Sequence, residues 1–267
     1  FSFLLSLVCL SFFIVVNNTT DILKYDTITV FFYIIANSCL QFLQVLSPIF
    51  VMVISTYIIH KEMHSGFVYY KLLRMSYKDY IKEKMITIFK TTWILPVVML
   101  FLFALCYMFT QNFDFTKGRP EIIGYTSFGT AIMKPTISLI EPHFYDTPIQ
   151  LMLTYFVVLF LHSIFYANIA FIVSKNNKKF SVTILESFLI FIALSIISEI
   201  GLQTFFSKIL SIKELKGIFS LTGIWIYCDF NNLTALLIYA IFICVCSCII
   251  TLLIYKNKEK VLMNCEK

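Results

Sequence analysis

Apolar residues fall in six blocks along the chain, roughly 1–16, 30–59, 86–110, 150–173, 182–206 and 233–255, with polar stretches between them. A bilayer hydrocarbon core about 30 Å thick is crossed by about 20 mostly apolar helical residues. Helices are the open-chain form that satisfies its own backbone hydrogen bonds in lipid. The pattern therefore predicts an all-α integral membrane protein of about six transmembrane helices, forming one domain over residues 1–267. The first block is short, covering about 24 Å as a helix. The chain opens on Phe1 rather than Met, so a preceding segment of the full protein is expected. A secretory signal peptide would need a basic start and a small-residue cleavage site, and Val15-Val16-Asn17 supplies neither.

The segments between the blocks differ in kind. In the loop at 60–84, Phe67, Tyr70, Leu73 and Tyr77 recur at helical spacing with Lys71, Arg74 and Lys78 between them. This predicts a short amphipathic helix on a membrane surface. The loop at 111–149 is long and carries four prolines and three glycines (Pro120, Pro135, Pro142, Pro148; Gly118, Gly124, Gly129), which suits a compact cap. The stretch 207–230 is moderately apolar but broken by Lys213, Gly217 and Gly223. It is too polar to span and is expected to form a re-entrant pair, surrounded by protein or water.

Charge then sets the orientation. Lys and Arg concentrate in the 60–84 loop, in the 174–180 loop and in the tail after residue 255, while the alternate loops carry more acid than base. Basic loops stay cytoplasmic, so both ends are expected inside. The net charge of +6 follows from this arrangement and does not indicate nucleic-acid binding. Cys9, Cys39, Cys106, Cys244, Cys246 and Cys248 lie within spans, and Cys228 faces the outside, which argues against an external disulfide framework. A mean hydropathy of +0.86 agrees with a membrane chain.

Candidate chemistry is sparse. Gly124-x4-Gly129 has phosphate-loop spacing, but Thr130 stands where Lys would meet the phosphates. His60, Glu62 and His64 depart from the zinc-protease pattern, because Glu62 falls on the opposite side of a helix from both histidines; they are read as surface polar residues. Within a helix, Cys246 is turned away from Cys244 and Cys248. The groups that stand out are polar residues inside spans, where burial in lipid is costly. Asn37, Gln41 and Gln44 share one helical face, His162 and Asn168 lie in the fourth span, and Glu186 and Glu199 lie in the fifth. Interhelical hydrogen bonding accounts for such groups; the functional reading of Asn37, Gln41, Gln44, His162 and Glu199 is a substrate path or dimer seam. Pro96 is expected to kink the third span.

The 60–84 loop carries one further pattern: Glu62, Gly66, Leu72-Leu73, Ser76, Tyr80 and Lys84. It resembles the cytoplasmic loop between the second and third spans of type-2 ATP-binding-cassette permeases, which typically reads Glu, Gly-Thr, Leu-Leu, Pro-Ser, Arg and Lys. Here Phe67 stands for Thr and Met75 for Pro. The resemblance implies that Glu62, Gly66, Leu72, Leu73, Ser76 and Lys84 form a coupling segment for a separate cytoplasmic ATPase. It implies a permease subunit of an exporter in a bacterial plasma membrane, paired with a second copy or a related permease. It places no catalytic residue, metal or cofactor on this chain; ATP and Mg belong to the partner. A hydrophobic or amphipathic substrate (peptide, lipid or drug) suits the absence of a charged path. Two other classes stay open: a membrane-embedded enzyme, for which His162 and Glu199 are the candidates, and a structural or sensory membrane subunit.

Overall fold

The computed structural model describes residues 2–18, 23, 27–37, 40–65, 67–111, 148–202 and 233–256. All of the regular structure among them is helical: α1 (Ser2–Asn18), α2 (Thr27–Asn37), α3 (Leu40–His64), α4 (Phe67–Leu72), α5 (Tyr77–Thr91), α6 (Ile94–Thr110), α7 (Pro148–Ser174), α8 (Phe180–Ile196) and α9 (Leu233–Ile254). A π-helical segment, Ile197–Leu202, extends α8.

Three stretches are long and apolar enough to cross a membrane: Tyr77–Thr110, Met152–Ser174 and Leu236–Ile254. Leu4–Asn17, Ser47–Tyr57 and Phe180–Ile196 are shorter apolar helices. The surface fits a bilayer better than water. Ile238, Ile241, Phe242, Val245, Ile249, Leu252 and Leu253 of α9 are all exposed, as are Leu100, Phe101 and Met108 of α6. A soluble monomer rarely exposes contiguous apolar faces of this extent.

Helix α7 is the hub and packs against α3, α5, α6, α8 and α9. Phe165, Tyr166, Ala167, Ile169, Ala170 and Phe171 are buried in succession around it. Such all-round burial gives an apolar helix with no amphipathic stripe. At the periphery, α1 buries Leu4, Val8, Phe12 and Val15, spaced three to four residues apart. That spacing turns one face toward α6, where Phe12 and Phe109 rings lie 5.0 Å apart. Polar bonds fix neighbouring helices in register. Thr27 and Thr110 hydroxyls meet at 2.8 Å between α2 and α6. Asn168 donates to Ser247 Oγ at 3.0 Å between α7 and α9, the interhelical role expected of a polar group in a span.

Two expectations are corrected. The block 30–59 is two helices, α2 and α3, and α3 runs on to His64, past the predicted edge. The 60–84 segment is the last turn of α3, the short α4, a turn at 73–75 and the start of α5, in place of one amphipathic helix. Ser76 causes that break: it adopts an extended N-cap conformation and its hydroxyl accepts the Asp79 N–H at 3.2 Å. Pro96 sits in the first turn of α6, inside the stretch Tyr77–Thr110. Its ring would clash with the carbonyl four residues back, and the helix is interrupted there, at Thr92–Trp93 between α5 and α6. The expected cap at 112–147, the re-entrant pair at 207–230 and the tail after residue 256 lie outside the described residues.

Candidate functional site

The predicted coupling residues gather where α3, α4 and α5 meet. Glu62, on the last turn of α3, forms an ion pair with Lys84 of α5. Lys84 is only 2% exposed. Its aliphatic stem lies in the packed interface, and its ammonium also rests 5.1 Å above the Tyr80 ring. Lys71 of α4 completes the cluster, 3.5 Å from Glu62 and 2.7 Å from Glu83, with Glu83 also 3.5 Å from Lys84. Two carboxylates and two ammonium groups thus cross-brace three helices. Burial pulls the Lys71 pKa down, but the bond to Glu83 and the charges of Glu62 and Glu83 outweigh it, holding the ammonium above its usual range. The raised lysine would lose its contribution only as pH climbs through its folded pKa.

What the brace presents is apolar. Leu73 is 83% exposed and Tyr70 69%, with Phe67 half exposed beside them and Arg74 and Lys78 at the edge. Beneath, Val68 is buried in the core, and Leu72, Tyr69 and Met75 pack against it. The predicted coupling residues therefore divide by role. Glu62 and Lys84 are internal struts, Leu72 is packing, Ser76 is the exposed cap that begins α5, and Leu73 is the apolar side chain that projects outward. Gly66 lies outside the described residues.

The same end of the bundle is tied to the remaining helices. His60 is buried, and its Nε2–H donates to the Asn177 carbonyl at 2.9 Å; the His64 Nε2–H donates to the Ser174 carbonyl at 2.8 Å. This corrects the expectation of surface histidines: i, i+4 spacing places both on one face, against the turn between α7 and α8. Glu62 points the other way, as its spacing predicts. Tyr255, just past α9, stacks on Phe171 at 4.4 Å and donates its hydroxyl to the Phe171 carbonyl at 2.8 Å. Its own carbonyl accepts the Tyr77 hydroxyl at 2.9 Å. Periodicity within a segment registers none of these long-range ties, apart from the shared face of the two histidines.

The His60 clasp gives a pH prediction. Burial lowers the His60 pKa, the bond to the Asn177 carbonyl partly offsets this, and the nearby His64 lowers it further. The unfolded chain then binds the proton more readily, so stability is full above the ordinary value of 6.5 and falls as pH drops through the folded pKa. Thermal unfolding in detergent from pH 7.5 to 5 is expected to show a falling midpoint in the wild type and a flatter curve in His60→Gln.

Of the polar residues assigned to a path, His162 is the one whose side chain is described. His162 is buried in α7, and its Nδ1–H donates to the Val158 carbonyl of its own helix at 2.9 Å. Glu199 falls on the π-helical segment, Asn37 ends α2, and Gln41 and Gln44 lie in the first turns of α3; their side chains are outside the described set. Glu186 accepts the Asn177 side-chain N–H beside the α7–α8 turn, consistent with its place near Lys179. No protein-family model, curated protein or solved structure matches this chain.

Proposed function

We propose that this chain is the permease subunit of an ATP-driven exporter in a bacterial plasma membrane. The reading takes six spans with both ends cytoplasmic: α1, α2 with α3, α5 with α6, α7, α8 with its π-helical extension, and α9. Two permeases, either two copies or one with a related chain, would line the pathway. ATP and Mg would reside on a separate cytoplasmic ATPase. A hydrophobic or amphipathic substrate (peptide, lipid or drug) suits the apolar spans.

The observation that supports this most is the braced hairpin of α4 and α5. An exposed apolar knob (Phe67, Tyr70, Leu73) with a basic edge sits on a rigid ionic base. A docking element needs both properties: apolar anchors for affinity and stiffness, so that a push moves helices instead of bending a loop. Force applied at Leu73 passes through Lys71 and Lys84 to Glu62 on α3. It also passes through Tyr77 to the end of α9, and α3 carries it through the histidine clasp to the α7–α8 turn.

The test is co-purification from detergent-solubilised membranes. Wild type is expected to retain an ATP-hydrolysing subunit bearing a phosphate loop. Leu73→Asp is expected to lose at least about tenfold of it, the effect of removing an anchor worth about 1.4 kcal/mol or more. The same substitution should leave thermal stability within about 0.5 kcal/mol, because the side chain is exposed. Absence of any such ATPase from the wild-type preparation overturns the proposal.

A further inference from the structure

Helices α8 and α9 both pack on α7. Between them runs a slot of about 350 Å³ floored by α7. Ile169 and Ile172 form its base, Ile190 and Leu194 one wall, and Phe242 and Ile243 the other. The slot starts beside the π-helical segment, where Ser198 and Tyr239 hydroxyls bond at 2.6 Å, and extends to Ile250. From Tyr239 to Ile250 the rise of α9 is about 16 Å. The rim is open sideways: Ile190, Leu194, Ile197, Phe242 and Ile250 are all exposed, whereas the floor residues Phe165, Ile169 and Val173 are buried.

We propose that this slot holds one acyl chain of a bilayer phospholipid. The inference needs only that α7 and α9 lie in a membrane and is independent of the exporter reading. The shape argument is direct. About 350 Å³ along about 16 Å leaves room for an extended alkyl chain. The lining supports the same occupant. A slot walled by aliphatic side chains offers water almost no partners, and left empty its walls forfeit dispersion contacts. Lipid chains are the apolar matter available at an open lateral rim. Hydrocarbon gains no hydrophobic energy in moving from bilayer to slot, so preference for the slot comes from close packing on three sides. The paired Ser198 and Tyr239 hydroxyls close one end with groups already satisfied by each other. π-helical turns recur where a helix surface is adapted to a ligand.

The probe is a phosphatidylcholine carrying a photoreactive diazirine midway along one acyl chain, mixed into nanodiscs around the full chain. After irradiation and digestion, slot residues such as Ile169 and Ile243 are expected to be labelled about fivefold more, per residue, than the lipid-facing Leu100 and Phe101 of α6, a preference of about 1 kcal/mol. Leu194→Trp, which fills the slot from a partly exposed wall position, is expected to bring slot labelling down to the α6 level while α6 labelling is unchanged. Ile243→Trp repeats the test from the opposite wall should the first variant fold poorly. Slot labelling no higher than that of α6, or unaffected by either folded variant, overturns the proposal. Labelling by a photoreactive free fatty acid but not by the phospholipid overturns the assignment to a bilayer lipid. Absence of labelling on α6 as well as the slot overturns the membrane placement itself.

Discussion

Lys84→Met is expected to destabilise the protein by about 3 kcal/mol, the lower end of the about 3–5 kcal/mol typical for removing one partner of a buried ion pair. The lower end applies because Glu62 keeps Lys71 at 3.5 Å as a second partner. The loss comes mainly from leaving the Glu62 carboxylate in a half-closed site without its closest cation. The double variant Glu62→Met with Lys84→Met should recover most of it, since two apolar side chains can fill the interface without a desolvation penalty. Reversible unfolding in mixed micelles, arranged as a double-mutant cycle, measures the coupling. A single-variant loss below about 0.5 kcal/mol, the range of an ordinary surface change, would mean that the brace contributes nothing and that α4 and α5 are held by Val68, Tyr80 and Ile81 alone.

Tyr255→Ala is expected to cost about 3–5 kcal/mol, as for other buried aromatic truncations. The ring is buried, stacks on Phe171 and lies under the Lys175 ammonium at 5.9 Å. Its hydroxyl bond to the Phe171 carbonyl is a smaller part, so Tyr255→Phe should cost about 1 kcal/mol. The two variants separate packing from hydrogen bonding in the same unfolding assay. Equal losses would place the whole contribution in the hydroxyl. Because the Tyr255 side chain joins the end of α9 to α7, Tyr255→Ala is also expected to raise proteolysis after Thr251 under native conditions.

Much of the helical content was legible from the six apolar blocks, because a run of aliphatic and aromatic residues of that length has few other solutions. The helix edges were harder to read. Apolarity stops at Ile59, yet α3 continues through His64, since its last turn is held by contacts distant in sequence: Glu62 with Lys84, and the two histidines with the α7–α8 turn. Hydropathy does not register a polar helix turn stabilised by tertiary partners. The even spacing of Phe67, Tyr70, Leu73 and Tyr77 suggested one helix, while the competing signal, Ser76 followed three residues later by Asp79, is the N-terminal capping pattern that divides it. In the candidate site, Glu62, Lys84 and Leu73 were all named from the motif, but the motif gave them one role. The structure separates them, two as internal struts and one as the outward contact, and charge and spacing do not encode that difference. The slot between α8 and α9 had no sequence signal. Its lining residues are ordinary aliphatics, and only the spacing of the helices on α7 creates the space.

The central claim, that the α4–α5 hairpin docks a cytoplasmic ATPase, is tested most directly by site-specific photo-cross-linking in native membranes. A photoreactive amino acid is placed at position 73, with position 81, buried on α5, and position 101, exposed on α6, as controls. The account predicts a protein adduct from position 73 alone, whose tryptic peptides include a phosphate-loop sequence and which diminishes when Tyr70→Asp is added. Adducts at position 73 that contain only lipid, or a protein partner without a phosphate loop, would contradict it.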